Sequence, residues 1–331
     1  MRIIILYDKS GSIDEGMKCV GYNLSKELAK NNEVCEIDLN RYASPIFWNR
    51  IKDFSPHIIH FVPGITIKSI FLLKILRSLY AVKTTITALV PRLYQPVGLY
   101  ILKALQPDRI FILSTKFEDI FRSINVPTKF LPMGVDIERF KPEISQEQKI
   151  LNKKELGLDE RQFTVLHIGH LQRGRNIEIL SDLVKLGYQG VLIATTSTKP
   201  NLTLQAKLEK EGVVVIRRYF ENIEYVYRLA DCYVFPTLDN RNAVNIPLSV
   251  LEAMACNLPV VSTHFGGLPR MFNEGDGVLY ADTKEKFLEC IKRIEKGEID
   301  KIATREKVSK YNWHYVAQLF EEYLKEVLVN N

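Results

Sequence analysis

The chain has 331 residues, 46% of them hydrophobic and 25% charged, with 17 glycines, 14 prolines and a formal charge of +6. That is enough for about two domains, and the balance excludes disordered, collagen-like and low-complexity classes. The mild basic excess suits anionic partners such as nucleotides, phosphates or an acidic membrane surface, and its modest size argues against nucleic acid.

The opening run, Arg2–Tyr7, is apolar and too short for a signal peptide. Residues 16–30 follow, with Val20, Leu24 and Leu28 at helical spacing, and runs at 34–39, 57–62, 84–90 and 109–113 predict strands. His57 and His60 flank one of these strands and read as packed or solvated rather than catalytic. The apolar stretch 65–82 is interrupted by Lys68, Lys74 and Arg77, so no membrane-spanning helix is expected. Basic and aromatic residues crowd 66–103: Lys68, Phe71, Lys74, Arg77, Tyr80, Lys83, Arg92, Tyr94, Tyr100 and Lys103. They read either as cover for a sheet or as a surface that lies on an anionic membrane.

Pro132, Gly134, Pro142 and the charged residues 143–154 suggest a linker over 132–158. The alternation then restarts, with strands at 164–169, 190–194, 213–216, 232–235 and 259–262 and helices at 176–185 and 248–256. A long helix at 312–329 carries an apolar face of Val316, Leu319, Phe320, Tyr323 and Leu324. Continuous apolar strands alternating with helices predict parallel sheets covered on both faces, an α/β chain of two doubly wound domains. Ligands of such sheets sit at strand carboxyl ends and at domain interfaces, so a cleft between the two domains is the expected site. The five cysteines are scattered without a CxxC pair and read as reduced, mostly buried thiols. No DxD motif and no cluster with metal-ligand spacing occurs, so neither metal nor cofactor is expected.

The most informative stretch is PLSVLEAMACNLPVVSTHFGGLP, residues 247–269. It reads as loop, helix, strand and a Gly–Gly turn. Pro247 fits the first helical turn, where Leu248 and the following N–H groups suit a phosphate. Glu252 lies more than one turn further on, placed either to reach ribose hydroxyls or to be a solvated or ion-paired helix acid. Gly266 and Gly267 either let backbone approach a ligand or form a plain tight turn.

This stretch resembles the donor-site signature of the family 4 retaining glycosyltransferases, which have the GT-B fold of two Rossmann-like domains. MGVDIERFKP (133–142) is similar to the family's linker motif, LHIGHLQRGRNIEIL (166–180) to its first C-domain strand and basic loop, and VYRLADCYVFPT (226–237) to its approach to the donor loop. The resemblance is good from 132 to about 280. It implies an acceptor domain at 1–142, a nucleotide-sugar domain at 143–311, and a final helix, 312–331, that packs back on the first domain.

It also implies transfer of a glycosyl group from a nucleotide sugar to a glycan or lipid-linked acceptor, with retained configuration and no metal. Glu252 falls where the family holds the donor ribose. Arg175 and His170 fall on the basic pair that neutralises the departing diphosphate, with Arg173 the alternative by register; otherwise they form a solvated basic loop. His170 stands where arginine is usual, and Val244 where a first glutamate usually contacts the sugar. Asp239 is then a substitute carboxylate, or Asn240, Arg241 or Asn242 binds the sugar, or the loop is a polar surface turn. Gly16, after the first strand, completes the donor-binding set. The family's histidine near the acceptor is missing from 87–91. A cytoplasmic protein, peripheral on the inner membrane face, is expected. The rival readings are a silent GT-B protein that binds a nucleotide sugar or partners an active transferase, and, on fold analogy alone, a sugar-nucleotide epimerase.

Overall fold

Ile3, Ile4, Ile5 and Leu6 are completely buried on both faces of their strand, as a continuous apolar run demands when helices cover a parallel sheet on each side. The computed structural model describes residues 1–11, 16–90, 96–142, 145–239 and 243–329. They divide into two units: Met1–Gly134 with Val244–Ile246 and Trp313–Asn331, and Val135–Ala243 with Pro247–Asn312.

The first unit holds β1 (Arg2–Tyr7), α1 (Gly16–Leu28), β2 (Glu33–Asp38), α2 (Pro45–Phe54), β3 (Ile58–Phe61), α3 (Ile67–Tyr80), β4 (Lys83–Thr87), α4 (Pro96–Ala104), β5 (Arg109–Ile112), α5 (Thr115–Ser123) and β6 (Thr128–Phe130). The sheet order is β2-β1-β3-β4-β5-β6, all parallel. Local chemistry sets the helix starts. Ser44 caps α2 by accepting from Ile46 N, with Pro45 in the first turn, and Thr66 with Ser69 forms a reciprocal capping box on α3. His60 on β3 is buried between Thr85 Oγ1 (2.8 Å) and Thr87 Oγ1 (3.0 Å), with its ring 4.7 Å from that of Phe320. Burial pushes its pKa down to about 3, so it is a neutral packing group. His57 Nδ1 accepts from Arg2 N at 3.0 Å.

The second unit holds α6 (Gln146–Glu155), β7 (Thr164–Gly169), α7 (Ile179–Lys185), β8 (Gln189–Ala194), α8 (Leu202–Lys210), β9 (Val214–Ile216), α9 (Glu224–Leu229), β10 (Cys232–Phe235), α10 (Leu248–Ala255), β11 (Val260–Ser262), α11 (Leu268–Met271), β12 (Val278–Tyr280), α12 (Lys284–Glu295) and α13 (Thr304–Ser309). The last helix, α14 (Trp313–Val329), belongs to the first unit and packs on α1. The second sheet runs β12-β11-β10-β7-β8-β9, again parallel.

The charged stretch read as linker is in part a helix. Ser145 caps α6, and Lys149 and Lys153 reach Asp231 at 2.5 and 3.2 Å, which makes these two lysines anchors rather than solvated charges. Pro247 also differs from expectation. It is the N-cap of α10, with extended backbone at φ −68° and ψ 122°, so the first helical residue is Leu248.

Both sheets reverse direction once, between β1 and β3 in the first and between β7 and β10 in the second. At such a reversal the loops leaving the two strands part to opposite faces, and the crevice between them is where doubly wound sheets bind ligands.

Candidate active site

The crevice of the second sheet opens beyond Gly169, the last residue of β7, and Phe235, the last of β10. The chain leaves β7 through the half-buried His170 and exposed Arg173, then folds Arg175 back against the strand end. A Cβ built on Gly169 would stand 3.0 Å from His167 Nε2 and 3.6 Å from Arg175 Nη1, so the absence of a side chain there lets these two groups pack close against the strand end. Thr237, after β10, donates to Arg175 O at 3.5 Å.

Arg175 is 8% exposed and its Nε has no hydrogen-bond partner among the described residues, nor does any described carboxylate pair with it. Burial pushes its pKa down to about 10, offset slightly by Tyr233, so it remains a cation at neutral pH. Expected as either clamp or solvated loop, it is a buried cation without a counter-ion among the described residues. His167 is fully buried, and its Nδ1 lies 2.8 Å from Val234 O. Burial first, then the neighbouring Arg175 and His170, push its pKa down to about 4 against that bond. The neutral ring must donate from Nδ1 to the carbonyl, which leaves Nε2 an acceptor with no partner among the described residues.

Tyr233 ties this corner to α10, its hydroxyl meeting Ser249 Oγ at 2.8 Å and Ile168 O at 3.3 Å. The first N–H groups of α10 point along the helix axis toward the strand carboxyl ends, without intrahelical acceptors. Leu248 is buried at that end. One turn on, Glu252 is half-buried, and Tyr227 Oη donates to its Oε2 at 2.5 Å. Burial raises the carboxyl pKa, opposed by the Tyr227 bond and the charge of Arg139. Oε1 has no partner among the described residues.

Gly266 adopts φ +56°, where a side chain is strained, while Gly267 has helical backbone at φ −96° and caps the short α11. Thr263 donates to Thr237 O at 2.5 Å and so joins the loops after β11 and β10. Asp239 is half-buried in the loop after β10. Asn240, Arg241 and Asn242 lie outside the described residues. The second unit thus collects Arg175, His170, Pro247, Leu248, Glu252, Gly266, Gly267 and Asp239 on loops and a helix at the carboxyl edge of β7, β10 and β11. Gly16 begins α1 in the first unit, where a Cβ would meet Val244 Cγ2 at 3.5 Å. Sequence reasoning missed His167, Tyr227, Tyr233 and Ser249. The available signal was a polar ring within otherwise apolar strands and an amphipathic hydroxyl facing Glu252. Among the described residues no three of His, Cys, Asp or Glu gather at metal-binding range.

Residues 162–296 match the family model described as glycosyl transferases group 1. Over 170 residues the chain is 29% identical to a D-inositol 3-phosphate glycosyltransferase of Corynebacterium jeikeium, covering 46% of this chain and 39% of that protein. The chain thus spans about two fifths of the length of the curated relatives it matches. Among solved structures, a sucrose-phosphate synthase from Thermosynechococcus elongatus superposes with TM-score 0.81 at 17% identity, covering 100% of both chains. Anabaena Alr3699/HepE, in complex with UDP-glucose, superposes with TM-score 0.75 at 15% identity over 98% of this chain and 100% of that one. The resemblance to family 4 glycosyltransferases holds, and the chain has the GT-B fold.

Proposed function

We propose, from a group 1 glycosyl transferase domain at residues 162–296 on a GT-B fold, that this chain moves a glycosyl group from a nucleoside-diphosphate sugar to a glycan or lipid-linked acceptor. Configuration is retained and no metal takes part. The observation that carries this reading is Arg175: a guanidinium 8% exposed, without a counter-ion among the described residues, packed at the carboxyl end of β7. A buried unpaired charge is costly, and its natural complement is an anionic ligand. That a similar fold is recorded with UDP-glucose supports a nucleotide sugar as that ligand.

In this reading the diphosphate lies over the carboxyl ends of β7 and β10. The N–H groups of Leu248 and Ser249 at the start of α10 face one phosphate, and Arg175 with His170 faces the other. The open Oε1 of Glu252 accepts from ribose hydroxyls, with the carboxylate held in place by Tyr227. Gly266 and Gly267 bring backbone close to the donor, and Asp239 borders the sugar. The bond between the anomeric carbon and the β-phosphate oxygen breaks. The acceptor oxygen bonds that carbon on the same face and passes its proton to the departing phosphate. Negative charge grows on the diphosphate through this step, and a preorganised cation stabilises it without proton transfer. The protein works in the cytoplasm, peripheral to the inner membrane face.

The test is a screen of nucleotide sugars for thermal stabilisation, with release of nucleoside diphosphate read in the same tubes. A ligand at 100 times its dissociation constant adds about 2.7 kcal/mol. Stabilisation with release supports the reading, stabilisation without release points to a silent binder, and neither, across uridine, guanosine and adenosine sugars, removes it.

A further inference from the structure

Helix α3 is apolar on both sides. Its inner face buries Ile70, Leu73 and Leu76 in the first unit's core, and its outer face exposes Ile67, Phe71, Ile75 and Leu79 at 43%, 47%, 47% and 65%. The spacing of four places these side chains on one stripe along the helix. The adjacent α4 adds exposed Val97 and Tyr100. A helix of a water-soluble surface ordinarily carries polar residues on its outer side, and a continuous apolar stripe there marks a docking face.

The charges around the stripe identify what it docks on. From residue 54 to 107 the sequence contains no aspartate or glutamate, but has Lys68, Lys74, Arg77, Lys83, Arg92 and Lys103. Lys68, Lys74 and Lys103 are exposed and have no carboxylate partner among the described residues, whereas Arg77 reaches Asp108 at 3.6 Å. Lys68 and Lys74 share the outer face of α3 with the stripe. Lysine stems lie along apolar surface while their ammonium groups reach outward to anions. No helix among the described residues is long and apolar enough to cross a membrane.

We infer that the outer face of α3, with α4 beside it, is a docking surface for an anionic lipid bilayer, with Ile67, Phe71, Ile75 and Leu79 entering the headgroup boundary and Lys68, Lys74 and Lys103 pairing with lipid phosphates. An apolar stripe flanked by unpaired cations, with no acid across more than fifty residues, complements an anionic plane. This names the surface behind the peripheral placement proposed above and does not depend on the transfer chemistry.

The experiment is co-sedimentation of the full chain with vesicles of phosphatidylcholine alone or mixed with phosphatidylglycerol. Two variants are compared with the parent: Phe71→Gln/Ile75→Gln/Leu79→Gln and Lys68→Glu/Lys74→Glu. All five side chains are exposed, so melting temperature should hold in both. The parent should sediment with the phosphatidylglycerol vesicles, less so at high salt, and each variant should bind about tenfold more weakly or worse. A parent that ignores anionic vesicles overturns the inference, as do variants that bind like the parent. Self-association of the parent that the glutamine variant disperses would assign the stripe to a second copy instead. Release of nucleoside diphosphate without vesicles is measured alongside, so failure of the transfer reading and failure of this one are told apart.

Discussion

Tyr227 donates its hydroxyl proton to one oxygen of Glu252 at 2.5 Å and leaves the other without a partner among the described residues. The phenol is fully buried and holds one oxygen of the carboxylate. Glu252→Ala should weaken nucleotide binding by about 10- to 150-fold, the range for a hydrogen bond from a charged group. Tyr227→Phe should weaken it less, because the carboxylate remains but loses its orientation. Calorimetry with the nucleoside diphosphate checks both. Unchanged affinity in Glu252→Ala, with the fold intact, would remove this residue from the site.

Arg175 should divide stability from function. Burial pushes its pKa down to about 10, so the native state bears the cost of a charged guanidinium at every pH below that value. Arg175→Met keeps much of the volume and removes the charge. Without ligand it should unfold at equal or higher denaturant, with a gain on the order of 1–3 kcal/mol. Turnover should fall by about 10²–10³, mostly in kcat, since the diphosphate charge is greatest in the transition state. Arg173→Ala, at an exposed position, should cost much less. If Arg173 proved critical and Arg175 dispensable, the loop's register would be wrong.

The sheet strands were readable because they are continuous apolar runs: Arg2–Tyr7 and Cys232–Phe235 coincide with the observed bounds. What escaped was structure whose apolar signal is weak. Helix α6 hides in QEQKILNKKE because Lys149 and Lys153 are held by Asp231, a partner some 80 residues away that no local pattern discloses. At the site, chain order placed Arg175 and Glu252 in the right loop and helix, but not their environments. That Arg175 is buried follows from the chain folding back over Gly169, and that Glu252 is held by Tyr227 follows from α9 packing near α10. Both are tertiary facts.

Turnover should survive a chelator. If Arg175, His170 and the start of α10 together meet the diphosphate, they supply the positive charge that a divalent cation would otherwise bring. Initial rates with EDTA should match those without. Activity abolished by EDTA and restored by magnesium or manganese would show that these groups do not suffice.

Stability should decline on mild acidification because two histidines are buried neutral. Burial pushes His60 to about 3 and His167 to about 4, against an ordinary value of 6.5. Both shifts are depressions, so the native state binds fewer protons than the unfolded chain. The stability is therefore fully present above pH 6.5. It is lost as pH falls from 6.5 toward about 3 for His60 and toward about 4 for His167, each by about 1.4 kcal/mol per pH unit. Asp8, Glu27 and Glu321 are held below the ordinary carboxylate range by hydrogen bonds despite burial, and their losses begin only at lower pH. Between about pH 6.5 and 4.5 the histidines' loss is opposed in part by Glu252, whose raised carboxyl takes up its proton at higher pH in the native state. Urea unfolding across that interval should show the parent losing stability steadily. His60→Asn begins less stable, because the ring packs on Phe111 and Phe320 and bonds Thr85 and Thr87, so the slope rather than the intercept is the readout. That slope should fall by up to about 1.4 kcal/mol per pH unit, the share of one histidine titration. A slope in the variant equal to the parent's would show that His60 takes up no proton on unfolding in this range.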